Sequence, residues 1–89
     1  MRVELFGMAR ALAGTATVEI RADGALTYAE FVRALADAIP SMVPGVIAPS
    51  RDALVEPNLV LLDGRRAPRE GERFGDGDRP CVLFLASGG

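Results

Sequence analysis

Residues 26–40 read LTYAEFVRALADAIP, and they contain the start, the buried face and the end of one helix. Thr27 is a typical N-cap residue, and Glu30 three positions later completes a capping box. Pro40 disfavours helical backbone at the residue before it and therefore ends the segment. Between these signals, apolar residues recur every three or four positions along one face: Tyr28, Phe31, Val32, Leu35 and Ile39. The stretch therefore predicts one amphipathic helix that packs on a core.

Short strands are predicted on both sides of this helix. Before it, RVELF at 2–6 and TATVEIR at 15–21 alternate apolar and polar residues, with the helical segment MARALAG between them. After it, NLVLL at 58–62 precedes Asp63-Gly64, a strong hairpin signal, then a short strand at 65–67 and a last strand at 80–86. This order predicts a single α+β domain over residues 1–89, in which a mixed four- to five-stranded sheet packs on one main helix.

Two of these strands lack the polar face expected of a sheet that only one helix covers. The segments LVLL at 59–62 and CVLFLA at 81–86 are apolar at every position. We expect an inner set to face the helix, consisting of Leu59, Leu61, Val82 and Phe84. The outer set would then be Val60, Leu62, Leu83 and Leu85, with Phe6 beside it. Such a patch indicates a partner surface, unless the proline-rich segment 40–57 folds across it.

The sequence ends in two glycines that follow the last apolar strand. Gly88 and Gly89 have no Cβ, so they could enter a channel too narrow for other residues. No charged residue follows Arg79. A flexible tail at 87–89 would reach about 10 Å beyond the sheet. The carboxylate of Gly89 would then be an acyl group available for activation.

The composition excludes several kinds of site. The chain has no histidine, so neither a Ser-His-Asp arrangement nor the commonest metal ligand is available. Cys81 is the one cysteine and is interpreted as a small apolar strand residue. All ten basic residues are arginines, and the net charge of −2 argues against nucleic acid. The longest apolar run is too short to cross a bilayer, so we expect a cytoplasmic protein.

These features together resemble the ubiquitin-like sulfur carriers of the MoaD/ThiS type, which are small β-grasp proteins. The resemblance covers nearly the whole chain and rests on VELFGMARALAG, LTYAEFVRALADAIP, NLVLLDG and DGDRPCVLFLASGG. It implies that Gly89, with Gly88 before it, is adenylated and converted to a thiocarboxylate. The chain length, including 40–57, is closer to the MoaD side. That likeness implies a sulfur-carrying small subunit of molybdopterin synthase with no catalytic residues of its own.

The same resemblance implies a set of partners. They are a MoeB/ThiF-like adenylyltransferase that uses ATP and magnesium, a sulfurtransferase, and a MoaE-like large subunit of molybdopterin synthase. The chain itself is expected to bind no cofactor, metal, nucleic acid or membrane. Residues expected to contact the partners come from the outer set, the MARALAG segment and the tail: Phe6, Arg10, Val60, Leu62, Leu83, Leu85, Ala86 and Ser87.

Three other functions remain open at this point. The sulfur could serve another acceptor, such as thiazole, cysteine or a thiolated tRNA base. The chain could instead be a protein modifier that is joined through Gly89 to lysines of other proteins, and its own lack of lysine would prevent it from being chained on itself. It could also be a plain interaction module that only docks through its apolar face.

Overall fold

The structure is a computed structural model and describes residues 1–85. The predicted helix lies at the centre of its fold. The elements that bring a sheet against this helix follow one another along the chain as β1 (Arg2–Leu5), α1 (Gly7–Ala13), β2 (Thr17–Glu19), α2 (Tyr28–Ala38), a 3-10 turn (Pro40–Met42), β3 (Asn58–Leu62) and β4 (Pro80–Phe84). The α+β class and the order of the main elements are therefore confirmed.

The four strands form one mixed sheet in the order β2-β1-β4-β3. β1 and β4 are the central pair and run parallel, with Glu4 opposite Cys81 and Leu5 opposite Val82. β2 pairs with β1, and β3 pairs with β4, in antiparallel fashion. The first and last strands of the chain therefore lie side by side, and β2 and β3 form the two edges.

Helix α2 has the predicted cap and the predicted buried face. The Thr27 hydroxyl accepts a hydrogen bond from the Glu30 amide, and the Glu30 carboxylate accepts one from the Thr27 amide. Phe31 is fully buried, and its ring lies 5.1 Å from that of Phe74, centroid to centroid. Phe74 is itself buried. The helix ends at Ala38, just before Ile39 and Pro40.

Segment 40–57 packs on the helix side of the sheet. Met42, Val46 and Ile47 are fully buried in the same core cluster as Phe31 and Val82. The segment is also tied to α2, because the Leu54 amide donates to the Tyr28 hydroxyl at 3.0 Å. The alternative in which this segment covers the outer face is therefore wrong. That face keeps its apolar residues uncovered by 40–57.

The short strand predicted at 65–67 is not formed. Asp63 and Gly64 do make a tight turn with positive φ at both positions, 55° and 68°. Beyond it, only one isolated bridge joins Leu62 to Arg66. The prediction of a strand at 65–67, which would have been the fifth strand of the sheet, is wrong. Hydrogen bonds to side chains hold residues 65–72 in a compact loop instead. The sheet described for residues 1–85 therefore has four strands.

Glu72 is the centre of that loop. Its carboxylate accepts two hydrogen bonds of 2.7 Å from the Arg66 guanidinium and one of 2.8 Å from the Arg69 amide. The bonds from Arg66, followed by the Arg69 amide, lower the pKa of Glu72 to about 2. Because charge-assisted bonds to a planar guanidinium are geometrically specific, this contact favours the loop over a continued hairpin.

We expect the Glu72 carboxyl to titrate far below an ordinary glutamate in a ¹³C NMR pH titration, with its midpoint at about 2. Since the pKa is lowered in the folded state, the stabilisation by this group is present above its ordinary pKa and is lost as the pH falls through the lowered value. The variant Arg66→Ala should move the midpoint back towards the ordinary range. An unchanged midpoint in that variant would contradict the assigned cause.

Gly75 should not tolerate a side chain, since an added Cβ would lie 2.8 Å from the carbonyl oxygen of Gly24. We expect Gly75→Ala to lower the free energy of unfolding by about 1–3 kcal/mol in urea denaturation, because the backbone must shift. Gly77→Ala is the matched control, since a Cβ there has no heavy atom within 4 Å. Equal stability of the two variants would show that the close approach is absent.

Candidate functional site

The carboxyl end of β4 defines the site, because the chain leaves the sheet there. β1 and β4 are parallel, so α1 begins at the same end of the sheet. The Phe6 amide donates to the Val82 carbonyl at 2.9 Å, and the Leu85 amide donates to the Pro57 carbonyl at 3.3 Å. The backbone is therefore held as far as Leu85. The predicted site residues that follow lie outside the described residues: Ala86, Ser87, Gly88 and Gly89.

Large apolar side chains are exposed around this end of the sheet. Those exposed among residues 1–85 lie in α1 and its N-cap, or at the end of β4 and just after it: Phe6, Met8, Leu12, Phe84 and Leu85. The two groups are adjacent, since a Cβ on Gly7 would lie 3.5 Å from the Phe84 Cβ. Leu85 is the most exposed, at 56%. The chain thus enters its last four residues from an apolar surface.

The outer face of the sheet continues this apolar surface. In the β3–β4 register, Leu59 lies opposite Leu83, and Leu61 lies opposite Cys81. The three leucines are half-buried, and Leu61 and Leu83 border a shallow depression of about 390 Å³ together with Phe6. We call Phe6, Leu61, Leu83 and Leu85 the outer patch. The patch is able to receive an apolar side chain from a partner.

The prediction of which β3 side chains face the core is wrong, because the two faces of the strand are interchanged. Val60 and Leu62 were expected on the outer face, but each is only 2% exposed and packs in the core. Leu59 and Leu61 were expected inside and lie on the outer face. Because LVLL is apolar at every position, its sequence has no polar residue to mark one face. Pairing with β4, with Val60 opposite Val82, sets the orientation.

The other predicted contact residues lie around the same end of the sheet. Phe6 is exposed beside Leu83, which is half-buried on the outer face. Arg10 is exposed on α1 and has no ion pair within residues 1–85. Phe84 was expected in the core, yet it is 44% exposed because it lies at the end of its strand.

Sequence reasoning missed the apolar residues of α1. Met8 and Leu12 are exposed, and both approach Gly45 on the neighbouring loop, where a Cβ would lie 3.7 Å from the Met8 sulfur. Their spacing of four residues places them on one face of a helix, while Ala9 faces the core. That spacing in MARALAG is a signal from which this second apolar face could have been predicted.

Cys81 is buried on the sheet, and burial raises the pKa of its thiol above the ordinary value. A thiol of raised pKa stays protonated and is a poor nucleophile near neutral pH. No cluster of acidic, cysteine or histidine side chains able to hold a metal occurs within residues 1–85. The described helices are also too short, or too polar, to cross a membrane.

A four-stranded mixed sheet with its main helix on one face, and with the chain leaving beside the first helix, defines a ubiquitin-like β-grasp protein. The crystal structure of SAMP1 from Haloferax volcanii is similar with a TM-score of 0.79 and 30% sequence identity, over 99% of this chain and 97% of that one. A second crystal structure, of H. volcanii small archaeal modifier protein 1, has a TM-score of 0.78 and 27% identity, over 96% and 95% of the two chains. The chain therefore belongs to the same ubiquitin-like family as this protein. No protein-family model matches the sequence, and the comparison with curated proteins found no match.

The corrected orientation of β3 can be tested with two adjacent leucines. Leu62→Ala should lower the free energy of unfolding by about 2–5 kcal/mol, because it empties a buried site. Leu61→Ala removes the same atoms from the half-buried outer face and should cost clearly less. Urea denaturation of both variants measures the difference. A larger loss for Leu61→Ala would contradict the orientation.

Proposed function

We propose that this chain is a ubiquitin-like carrier whose Gly89 carboxylate is activated and then transferred by partner proteins. The observation that carries the proposal is the likeness to a small archaeal modifier protein over nearly the full length of both chains. The geometry supports it, since an apolar surface surrounds the point where the chain leaves β4. The chain lacks histidine, and its thiol is buried, so we assign the chemistry to partners.

The first step is the same for every fate of the acyl group. A MoeB/ThiF-like adenylyltransferase binds ATP with magnesium and receives the tail with Gly88 and Gly89. A carboxylate oxygen of Gly89 attacks the α-phosphorus of ATP, and pyrophosphate leaves as the new oxygen–phosphorus bond forms. The resulting mixed anhydride makes the glycyl carbon electrophilic. An ATP-dependent step of this kind is consistent with a cytoplasmic protein.

The structural likeness favours protein modification as one fate. A lysine amine of a target protein attacks the glycyl carbon, AMP leaves, and the amine proton passes to a base of the partner enzyme. The product is an amide between Gly89 and the target. This chain has no lysine, so its own side chains cannot become targets and modifiers would not be chained through them.

The sequence resemblance to MoaD/ThiS-type proteins favours sulfur transfer as the second fate. A sulfurtransferase supplies sulfur at the oxidation level of sulfide, which attacks the same carbon and displaces AMP. The thiocarboxylate on Gly89 is then a sulfur nucleophile. In molybdopterin synthesis it would be consumed by a MoaE-like large subunit. Thiazole, cysteine and tRNA thiolation are the other acceptors for the same intermediate.

The proposed docking surface is the outer patch with the adjoining start of α1. Phe6, Leu83 and Leu85 keep their expected role as partner contacts, and Leu61 replaces the buried Val60 and Leu62. Arg10 on α1 would meet an acidic surface of a partner. Ala86 and Ser87 would contact the partner as the tail enters its active site.

The deletion of Gly88 and Gly89 tests the whole proposal. The chain is co-expressed with its activating enzyme and a sulfur source, and its intact mass is measured. We expect the mass of the full chain to increase by the difference between a sulfur and an oxygen atom, or the chain to form higher-mass conjugates that survive reducing gels. The truncated chain should give neither product, because it lacks the acyl group that is activated.

Gly77→Ala is the matched control, since it changes a glycine before β4, at a position with space for a Cβ. It should react as the unchanged chain does. Thiocarboxylate without conjugates would support the sulfur carrier, and conjugates would support the modifier. Unchanged products from the truncated chain would overturn both fates and leave only a docking module.

A further inference from the structure

The free edge of β3 borders a cavity of about 560 Å³ that the proposed function does not use. Tyr28 and Ala29, in the first turn of α2, line one wall, and residues 67–71 line the opposite wall. The volume lies within the range of about 300–1,000 Å³ that is typical of ligand pockets. Because 65–67 does not form a strand, the position beside β3 that a fifth strand would occupy is open.

The pairing with β4 determines which backbone groups of β3 face this cavity. The Asp63 amide donates to Arg79, and the Leu85 amide donates to Pro57, at the two ends of the β3–β4 pair. Since hydrogen-bonded residues alternate along an antiparallel strand, the odd-numbered residues of β3 bond to β4. The even-numbered residues therefore direct their N–H and C=O groups towards the free edge.

Val60 is the even-numbered residue of β3 whose backbone N–H and C=O have no hydrogen-bond partner among the described residues. The Leu62 amide donates to the Arg66 carbonyl, and the Asn58 amide donates to the Val55 carbonyl. No hydrogen bond within residues 1–85 uses the amide or the carbonyl of Val60. Val60 also lines the cavity, so one donor and one acceptor of a sheet edge are presented to whatever enters it.

Two further features of the lining describe the occupant. The Asn58 amide oxygen is buried and has no hydrogen-bond partner among the described residues, so the site lacks a donor. The charged residues that line the cavity are Glu56, Glu70 and Arg69. Two negative charges and one positive charge give the lining a net charge of −1. Neither carboxylate forms an ion pair within residues 1–85. These features fit a basic side chain on an occupant rich in N–H groups.

We propose that this slot binds an extended peptide segment of another protein, which adds as a strand to the free edge of β3. The peptide backbone bonds to the N–H and C=O of Val60, and its alternate apolar side chains pack on the cavity walls near Tyr28 and Leu54. A lysine of the peptide lies near Glu56 or Glu70. Binding at this site does not depend on activation of the tail.

The test uses the ¹⁵N-labelled full chain and the blocked peptide acetyl-VTKTVT-amide, whose two valines and lysine lie on one face of an extended strand. On addition of the peptide at millimolar concentration, we expect the Val60 amide resonance to shift and its hydrogen exchange to slow roughly tenfold, because the amide gains a bond. The charge-reversed peptide acetyl-VTETVT-amide should bind about threefold more weakly, as expected for an ion pair at the rim.

Ala29→Trp fills the cavity and should abolish these changes, whereas Ala38→Trp, at the exposed end of the same helix, should keep them. Both variants should still form the products of the activated tail. An unchanged Val60 amide with both peptides overturns the proposal, and so does equal binding by the two variants. If the Val60 amide resonance shifts with protein concentration in the absence of peptide, the edge pairs with a second copy of this chain, and the proposal is wrong. The unsubstituted chain alone decides the matter if Ala29→Trp does not fold.

Discussion

The parallel pairing of β1 with β4 is the constraint on which the rest of the structure depends. It joins the first strand of the chain to the last, with Leu5 opposite Val82 at the centre of the sheet. Parallel strands need a long crossover connection, and helix α2 with segment 40–57 supplies it on one face. The pairing also brings the start of α1 beside the end of β4. The chain therefore enters its last residues from a rigid surface.

A small domain with one covering layer leaves the other face of its sheet uncovered. Segment 40–57 adds Met42, Val46 and Ile47 to the core on the helix side and so cannot cover the outer face. The apolar residues of that face then stay at the surface, next to the exit of the chain. Under the proposed function, this placement would couple docking to delivery of the acyl group, because a partner bound to the patch would also receive the tail.

The two edge strands of the sheet differ in how well they could pair with an added strand. β2 is short, at three residues, and offers little to an added strand. β3 has five residues, and the loop that Glu72 and Arg66 hold together pairs with it only at Leu62, across the cavity from the rest of the strand. An unpaired edge is a site for strand addition unless something blocks it. The loop thus leaves room for a peptide where a fifth strand would otherwise close the sheet.

The sequence by itself determined the helix and its limits, because the capping box, the apolar stripe and Pro40 are local signals. It also determined the turn at Asp63-Gly64 and the class of the fold. Only the tertiary structure decided which side of β3 faces the core, since a strand that is apolar on both faces is oriented by its pairing with β4. Contacts between distant residues likewise decided that 65–67 becomes a loop and that 40–57 joins the core. Local sequence does not encode such contacts.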